Sequence, residues 1–276
     1  MNLAVIKSHR ILVAGKWNEL SEDQLLRVMN VFLTPDATPE FIETRLVATL
    51  LQLWRRPKLA GVLRTMDLEN VAELRRLTQA FLQAPVKLTK QLIPRLDPGP
   101  LAWPRHYYGP GDMLAGVNFT EWIAAENAYF RYRQGDAAQL LRLVAILYRP
   151  GGPRQENGDR REAYSQFRVE DRMLQLSARL KPEVAQAVLY YYNSCRTQKI
   201  AANPDLFPGK EYADDPDPVA TNPTRNYQLL LRELAGTPDR FDLIGQQPVD
   251  NVFFDLNERV AESHAQQKAL ADQSHG

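Results

Sequence analysis

The sequence predicts an all-α protein, mostly α-helical with orthogonal or bundle-like packing, carrying at most a small N-terminal β-hairpin. Helix-start signals recur along the chain, each followed by apolar residues at the 3.6-residue period. Strand-like patterning is confined to Leu3–Ile6 and Arg10–Ala14, and the single cysteine, Cys195, removes any disulfide framework.

Taken in order, Leu3–Ile6 and Arg10–Ala14 read as the two arms of the hairpin. Ser21 with Gln24 forms a capping box ahead of Leu25, Leu26 and Val28. Thr38-Pro39 pairs an N-cap with a first-turn proline, opening a helix through Trp54 whose Phe41, Ile42, Leu46, Leu50 and Leu53 share a stripe. Asp67 caps 68–83, with Val71, Leu74, Leu77, Thr78 and Phe81 on one face. Thr120 opens 121–133 and Asp136 opens 137–148, and so short a connection at Gln134-Gly135 implies an antiparallel pair. Further helices are expected at 159–178, 182–200, 223–235, 238–244 and 249–268, with the last dozen residues fraying.

Two stretches interrupt this pattern. Residues 94–118 carry five prolines and four glycines, a density at which regular structure does not persist, yet Trp103, Tyr107 and Tyr108 are unlike a disordered spacer. Residues 203–223 carry five prolines around the run Asp214-Asp215-Pro216-Asp217. The expected organisation is an N-terminal helical unit at 1–93, a connecting arm at 94–118, a central helical unit at 119–202, and an acidic loop with C-terminal helices at 203–276.

Composition narrows the function classes. With 276 residues, 44% hydrophobic, the chain is long enough for a sizeable core. No run approaches 18 apolar residues, and MNLAVIKSHR holds an unbroken run of only four, Leu3–Ile6, before Lys7, so the reading is a cytoplasmic protein without a membrane partner. The net charge of +1 argues against a generic nucleic-acid coat. It is also a cancellation: residues 201–276 hold 6 Lys/Arg and 13 Asp/Glu, net −7, leaving 28 against 20, net +8, in residues 1–200.

Reaction chemistry finds few carriers. His264 and His275 lie near the C-terminus, His9 precedes a strand, and His106 sits in the proline-rich arm. Cys195 shares a helical face with Val184, Val188 and Tyr192 and reads as a packing cysteine rather than half of a Cys–His pair. No HExxH, Glu-x-x-His, calcium loop or phosphate loop occurs; the Asp214–Asp217 run reads as solvated and Gly109-Pro110-Gly111 as a turn. No cofactor and no catalytic residue is assigned, and a spatially assembled carboxylate or Tyr/Arg site around 94–118 is the reading that would restore an enzyme.

Binding candidates are clearer. On an unbroken 159–179 helix, Arg161, Arg168, Arg172 and Arg179 return to within about 20° of one azimuth. Such a stripe could grip phosphates or an acidic partner, or pair with acids elsewhere in the molecule. Aromatic residues cluster at Phe119, Trp122, Tyr129, Phe130, Tyr132 and Tyr148, where helical spacing favours core packing. Three consecutive tyrosines, Tyr190 to Tyr192, cover about 200° of a helix, so at least one is expected to face solvent or a partner. Candidate interface aromatics are therefore Trp103, Tyr107, Tyr108, Tyr190 and Tyr191.

Trp17-Asn18-Glu19-Leu20 with Ser21 and Gln24, and FTEWIAAENAYFRYRQGDAAQLLRLVAILYRP at 119–150 followed by Asp159-Arg160-Arg161, resemble a loosely defined set of helical proteins of prophages and phage-like elements, often encoded beside tail genes. The shared positions are Trp122, Ala125-Glu126, Tyr129-Phe130, Leu147-Tyr148-Arg149-Pro150 and Asp159-Arg160. The resemblance implies a non-enzymatic tail-associated structural or assembly role, including chaperoning of an elongated helical partner, and brings no catalytic residues. Read from the residues alone, Leu147–Pro150 is a helix terminus, with Arg149 at the negative end of the dipole and Pro150 as the stop. Arg149 joins the candidate partner-binding residues. The rival expectation is a nucleic-acid-binding or regulatory protein using the arginine stripe.

Overall fold

The computed structural model describes residues 2–6, 9–63, 68–82, 87–97, 106–153, 159–207 and 223–274. The fold is mainly α-helical, with eleven α-helices and two small antiparallel sheets among the described residues. No helix among them is long and apolar enough to cross a membrane. The chain divides into two compact units, one of residues 1–94 with 180–194, the other of residues 95–179 with 195–276.

The first unit opens with the expected hairpin: β1 (Asn2–Ile6) pairs antiparallel with β2 (His9–Val13), Ala4 facing Ile11. The capping box then starts α1 (Glu22–Phe32), as Ser21 Oγ accepts from the Gln24 amide and Gln24 Oε1 from the Ser21 amide. Thr38 caps α2 (Pro39–Leu50) by accepting from the Phe41 amide. This helix stops short of Trp54, because Gln52 takes a left-handed conformation (φ 54°) and Leu53–Arg55 continue as a 3-10 turn. Pro57 then begins α3 (Pro57–Leu63), which the sequence reading did not separate, and α4 (Leu68–Leu82) follows. Asp67, its expected cap, lies outside the described residues.

Apolar burial holds this unit together. Leu25, Val28, Met29, Leu46, Leu50 and Leu51 are all nearly inaccessible, while Trp17 meets Phe81 edge-on at 5.2 Å and Tyr190 at 5.8 Å. Phe41 departs from its expected stripe and stays 38% exposed. Polar groups act as clasps: buried Gln24 donates to the Leu50 carbonyl, and Asn18 bonds Thr89 through both side-chain atoms and the Lys90 amide.

In the second unit the proline-rich arm is part of the fold. β3 (Arg95–Leu96), β4 (Tyr107–Tyr108) and β5 (Arg149–Pro150) form a three-stranded sheet in that order, so the described part of 94–118 supplies one edge strand and the central strand. α5 (Phe119–Arg133) is capped by Asn118, not Thr120: its Oδ1 accepts from the Glu121 amide. Gly135, at φ +98°, closes that helix, with the Asp136 amide donating to Arg131 O and the Gly135 amide to Tyr132 O. α6 (Ala138–Leu147) packs back on α5, as the short connection required.

The largest correction concerns 159–178. Residues 159–163 are not helical: Arg161 bridges Gly151, the Gly152 amide donates to Arg160 O, and the Glu162 amide donates to Pro150 O. A 3-10 turn at Gln166–Arg168 then leads into α7 (Val169–Ser177). α8 (Pro182–Ala201) contributes 182–194 to the first unit and 195–201 to the second. α9 (Pro223–Ala235), α10 (Phe241–Gly245) and α11 (Val249–Ser274) complete the chain. The last helix persists to Ser274, six residues beyond expectation, although among the residues whose burial is described the buried ones, Val249, Val252, Phe253 and Leu256, lie in its first eight. Phe253 is an aromatic hub, contacting Trp122 at 5.2 Å, Phe207 at 5.3 Å and Tyr227 at 6.3 Å.

Candidate functional site

The sequence-predicted arginines do not form a stripe. Because 159–165 is extended, Arg161 is separated from the α7 residues and turned into the second unit, where it is fully buried. Arg172 is 2% exposed on the inner face of α7 beside Val169 and Leu176. Arg168 and Arg179 alone among the four stand exposed.

Arg149 and Arg161 instead meet in a buried charge cluster. Glu121, in the first turn of α5, places its carboxylate between them: Oε1 accepts from Arg161 Nη1 at 2.7 Å, Oε2 from Arg149 Nη2 at 2.9 Å. Asp159 supplies a second carboxylate, accepting from Arg161 Nε at 3.0 Å with each oxygen and lying 2.9 Å from Nη2. Arg161 Nη1 also donates to Leu147 O, and Nη2 to Gly116 O. All three guanidinium nitrogens thereby donate, to groups 2 to 45 residues away in sequence. Gly116 is required here: its φ is +83°, and a Cβ would sit 3.0 Å from Asp159 Oδ2.

Arg149 is less completely matched. Its Nη1 donates to Glu162 O at 2.6 Å and its guanidinium lies 5.9 Å from the Tyr164 ring centre, but Nε has no hydrogen-bond partner. The same holds for Tyr164 Oη and Arg172 Nε. Glu162 divides its carboxylate between Arg168 Nη1 (2.9 Å) and Arg172 Nη1 (3.4 Å).

Electrostatics follow this geometry. Burial alone would push the Arg161 pKa down, but Glu121 and Asp159 outweigh it and hold the pKa above the usual arginine value. For Arg149, burial dominates, Glu121 offsets it in part and the neighbouring Arg161 charge adds to it, so its pKa falls. Arg172 falls too, through burial. Tyr164 is pushed up to about 12 by burial and then by the Glu121 charge.

A cleft of about 340 Å³ adjoins the cluster, bordered by Asn118, Arg149, Arg161, Glu162, Tyr164 and Gln246. Its wall carries two arginines, Arg149 and Arg161, and one carboxylate, Glu162, which is engaged by Arg168 and Arg172. Among the described residues no group of three or more His, Cys, Asp or Glu is placed to hold a metal ion. His106 faces Asp97, Nδ1 to Oδ1 at 2.5 Å, on the surface. Cys195 is buried, as a packing residue would be.

The interface aromatics are mostly inward. Tyr107 is 1% exposed and its hydroxyl donates to Gln175. Tyr108 is half-buried against the His106 ring. Tyr190 is half-buried against Trp17 and Phe32, while Tyr191 and Tyr192 are buried, so none of the three tyrosines is fully exposed. Trp103 and the Asp214–Asp217 run lie outside the described residues.

Sequence reasoning missed Glu121, Asp159 and Tyr164 as site residues. The signal available was Glu121 beside Trp122 in the α5 first turn, where an acidic residue is otherwise read as a helix-dipole partner. It also missed Phe167 and Leu174, which are 95% and 73% exposed. No protein-family model, curated protein or solved structure matches the chain.

Proposed function

We propose that the chain is a non-enzymatic structural or assembly protein, acting through protein–protein contacts in a phage-like tail or related mobile-element particle. The observation that carries this reading is the exposure of Phe167, in the 3-10 turn, and Leu174, on α7, together with a charge cluster whose carboxylates are engaged by its own arginines. Large apolar side chains left this open to solvent supply the anchors of partner surfaces. The tail context is supported by the resemblance. Of its shared charged positions, Glu126, Arg149, Asp159 and Arg160, two meet in the buried cluster, Arg149 and Asp159, 3.7 Å apart. Their role on this reading is to fix the scaffold that presents Phe167 and Leu174, with Arg149 structural rather than partner-binding.

Co-expression with the products of adjacent genes tests the proposal. A tail component should co-purify, and Phe167→Glu with Leu174→Glu should cut recovery about tenfold or more. A neighbourhood without tail genes, or a double variant that co-purifies undiminished, overturns it. The nucleic-acid alternative retains only Arg168 and Arg179 as exposed cations of its four. Retention on heparin at low salt, lost when both become Ala, would favour it instead.

A further inference from the structure

The first unit carries a groove of about 410 Å³ between α1, α2 and the 3-10 turn at 53–55. Its floor is apolar, from Val31 and Ala48, and its walls are two arginine–aromatic stacks. The Arg27 guanidinium lies 4.1 Å from the Trp54 ring centre, and that of Arg45 lies 5.2 Å from the Phe41 ring centre. Both rings remain open to solvent, at 36% and 38%. Stacking occupies the face of a guanidinium and leaves its N–H edges outward. Arg27 shares one edge with Asp23 at 3.3 Å, whereas Arg45 has no acidic partner among the described residues. No Asp or Glu lines the groove.

From this we infer that the groove is a docking site for an acidic amphipathic segment of a partner protein, one that inserts apolar side chains over Val31 and Ala48 and sets carboxylates against Arg45 and Arg27. Charge complementarity chooses this occupant. A purely apolar segment would leave the arginine edges facing nothing, and a basic one would be repelled. A nucleic-acid strand needs a track of cations along its backbone, and here there are two, one already paired. Partly exposed Trp and Arg side by side, over a concave apolar floor, is the composition that dominates binding energy at protein interfaces. The inference rests on the protein-contact reading of function and assigns it a second surface, distinct from that of Phe167 and Leu174.

The test is fluorescence anisotropy on the full chain with three labelled probes: the peptide EELFDELLEE, its basic counterpart KKLFKKLLKK, and an oligothymidylate. The acidic peptide should bind saturably, with a Kd of about 10–300 μM given so small a contact. Arg45→Glu, at an exposed position, and Trp54→Ala should each weaken it about tenfold or more, with unchanged circular dichroism, while Arg168→Glu leaves it intact. Equal binding of acidic and basic peptides, no saturation by about 1 mM, or displacement by oligothymidylate overturns the inference. If the chain still co-purifies with a tail component while the acidic peptide fails to bind, the groove assignment falls and the proposed function stands.

Discussion

The two units are built from similar helices and stabilised by different physics. In the first, Leu25, Val28, Met29, Leu46 and Leu50 form an apolar core, sealed by Trp17 against Phe81. In the second, the aromatic hub at Phe253 coexists with Glu121, Arg149 and Arg161, all within 1% of complete burial. An apolar core tolerates exchange of one hydrocarbon shape for another. A buried ion cluster does not, because removing one member leaves its partners charged and dry.

Breaking that contrast at its strongest point means removing Glu121, which bridges both guanidiniums. Glu121→Ala should cost about 3–5 kcal/mol in urea denaturation, or prevent folding, whereas replacing Glu121, Arg149 and Arg161 together by apolar residues should recover much of the loss. A single variant that unfolds like the parent would show the cluster to be dispensable. Leu25→Ala, in the first unit, should cost about 3 kcal/mol through lost transfer and an unfilled cavity, and Leu25→Met less than about 1.5 kcal/mol. Arg161→Lys, equally conservative by name, should do worse than Leu25→Met, since a compact ammonium cannot reproduce the planar fork by which Nε, Nη1 and Nη2 all donate.

The pH axis sharpens the comparison further. Tyr164 has its folded pKa raised to about 12 from 10, so its contribution is fully present below pH 10 and is lost as pH rises through about 12. Tyr164→Phe removes that dependence, and because the hydroxyl has no partner its loss should leave stability at pH 7 unchanged or slightly higher. Alkaline denaturation of parent and variant side by side decides it, and coincident curves would place the hydroxyl in water. The smallest effect is expected at Arg168, whose pair with Glu162 is largely solvated: Arg168→Ala should change stability by less than about 0.5 kcal/mol, and less at high salt.

What was legible in the sequence divides along the same line. Capping chemistry is local, so Ser21 with Gln24, Thr38 with Pro39 and the Gly135 turn placed their helices to within a few residues. Phe119, Trp122 and Tyr148 were read as core from their spacing and are buried. The ion cluster was illegible because its contacts join residues 28 and 40 positions apart, and helical periodicity has no access to such separations. Reading 159–178 as one helix was the direct result. The arginine spacing suited a helix, while the backbone hydrogen bonds of 160–162 were committed to 150–152 instead. Likewise Pro and Gly density in 94–118 signalled irregularity correctly, but two-residue strands such as β3 and β4 leave no periodic trace.

The convergence of acceptors on Arg161 makes that one side chain a tie between distant segments. Its acceptors come from the Gly116 turn, the α5 first turn, the end of α6 and the Asp159 loop, and none of them alone compensates for withdrawing the guanidinium from water. Burial of the guanidinium is therefore favourable only with all four in place, so one side chain ties four separate segments of the second unit to one another. Arg161→Ala should loosen all four together, read as faster limited proteolysis of the second unit than of the first.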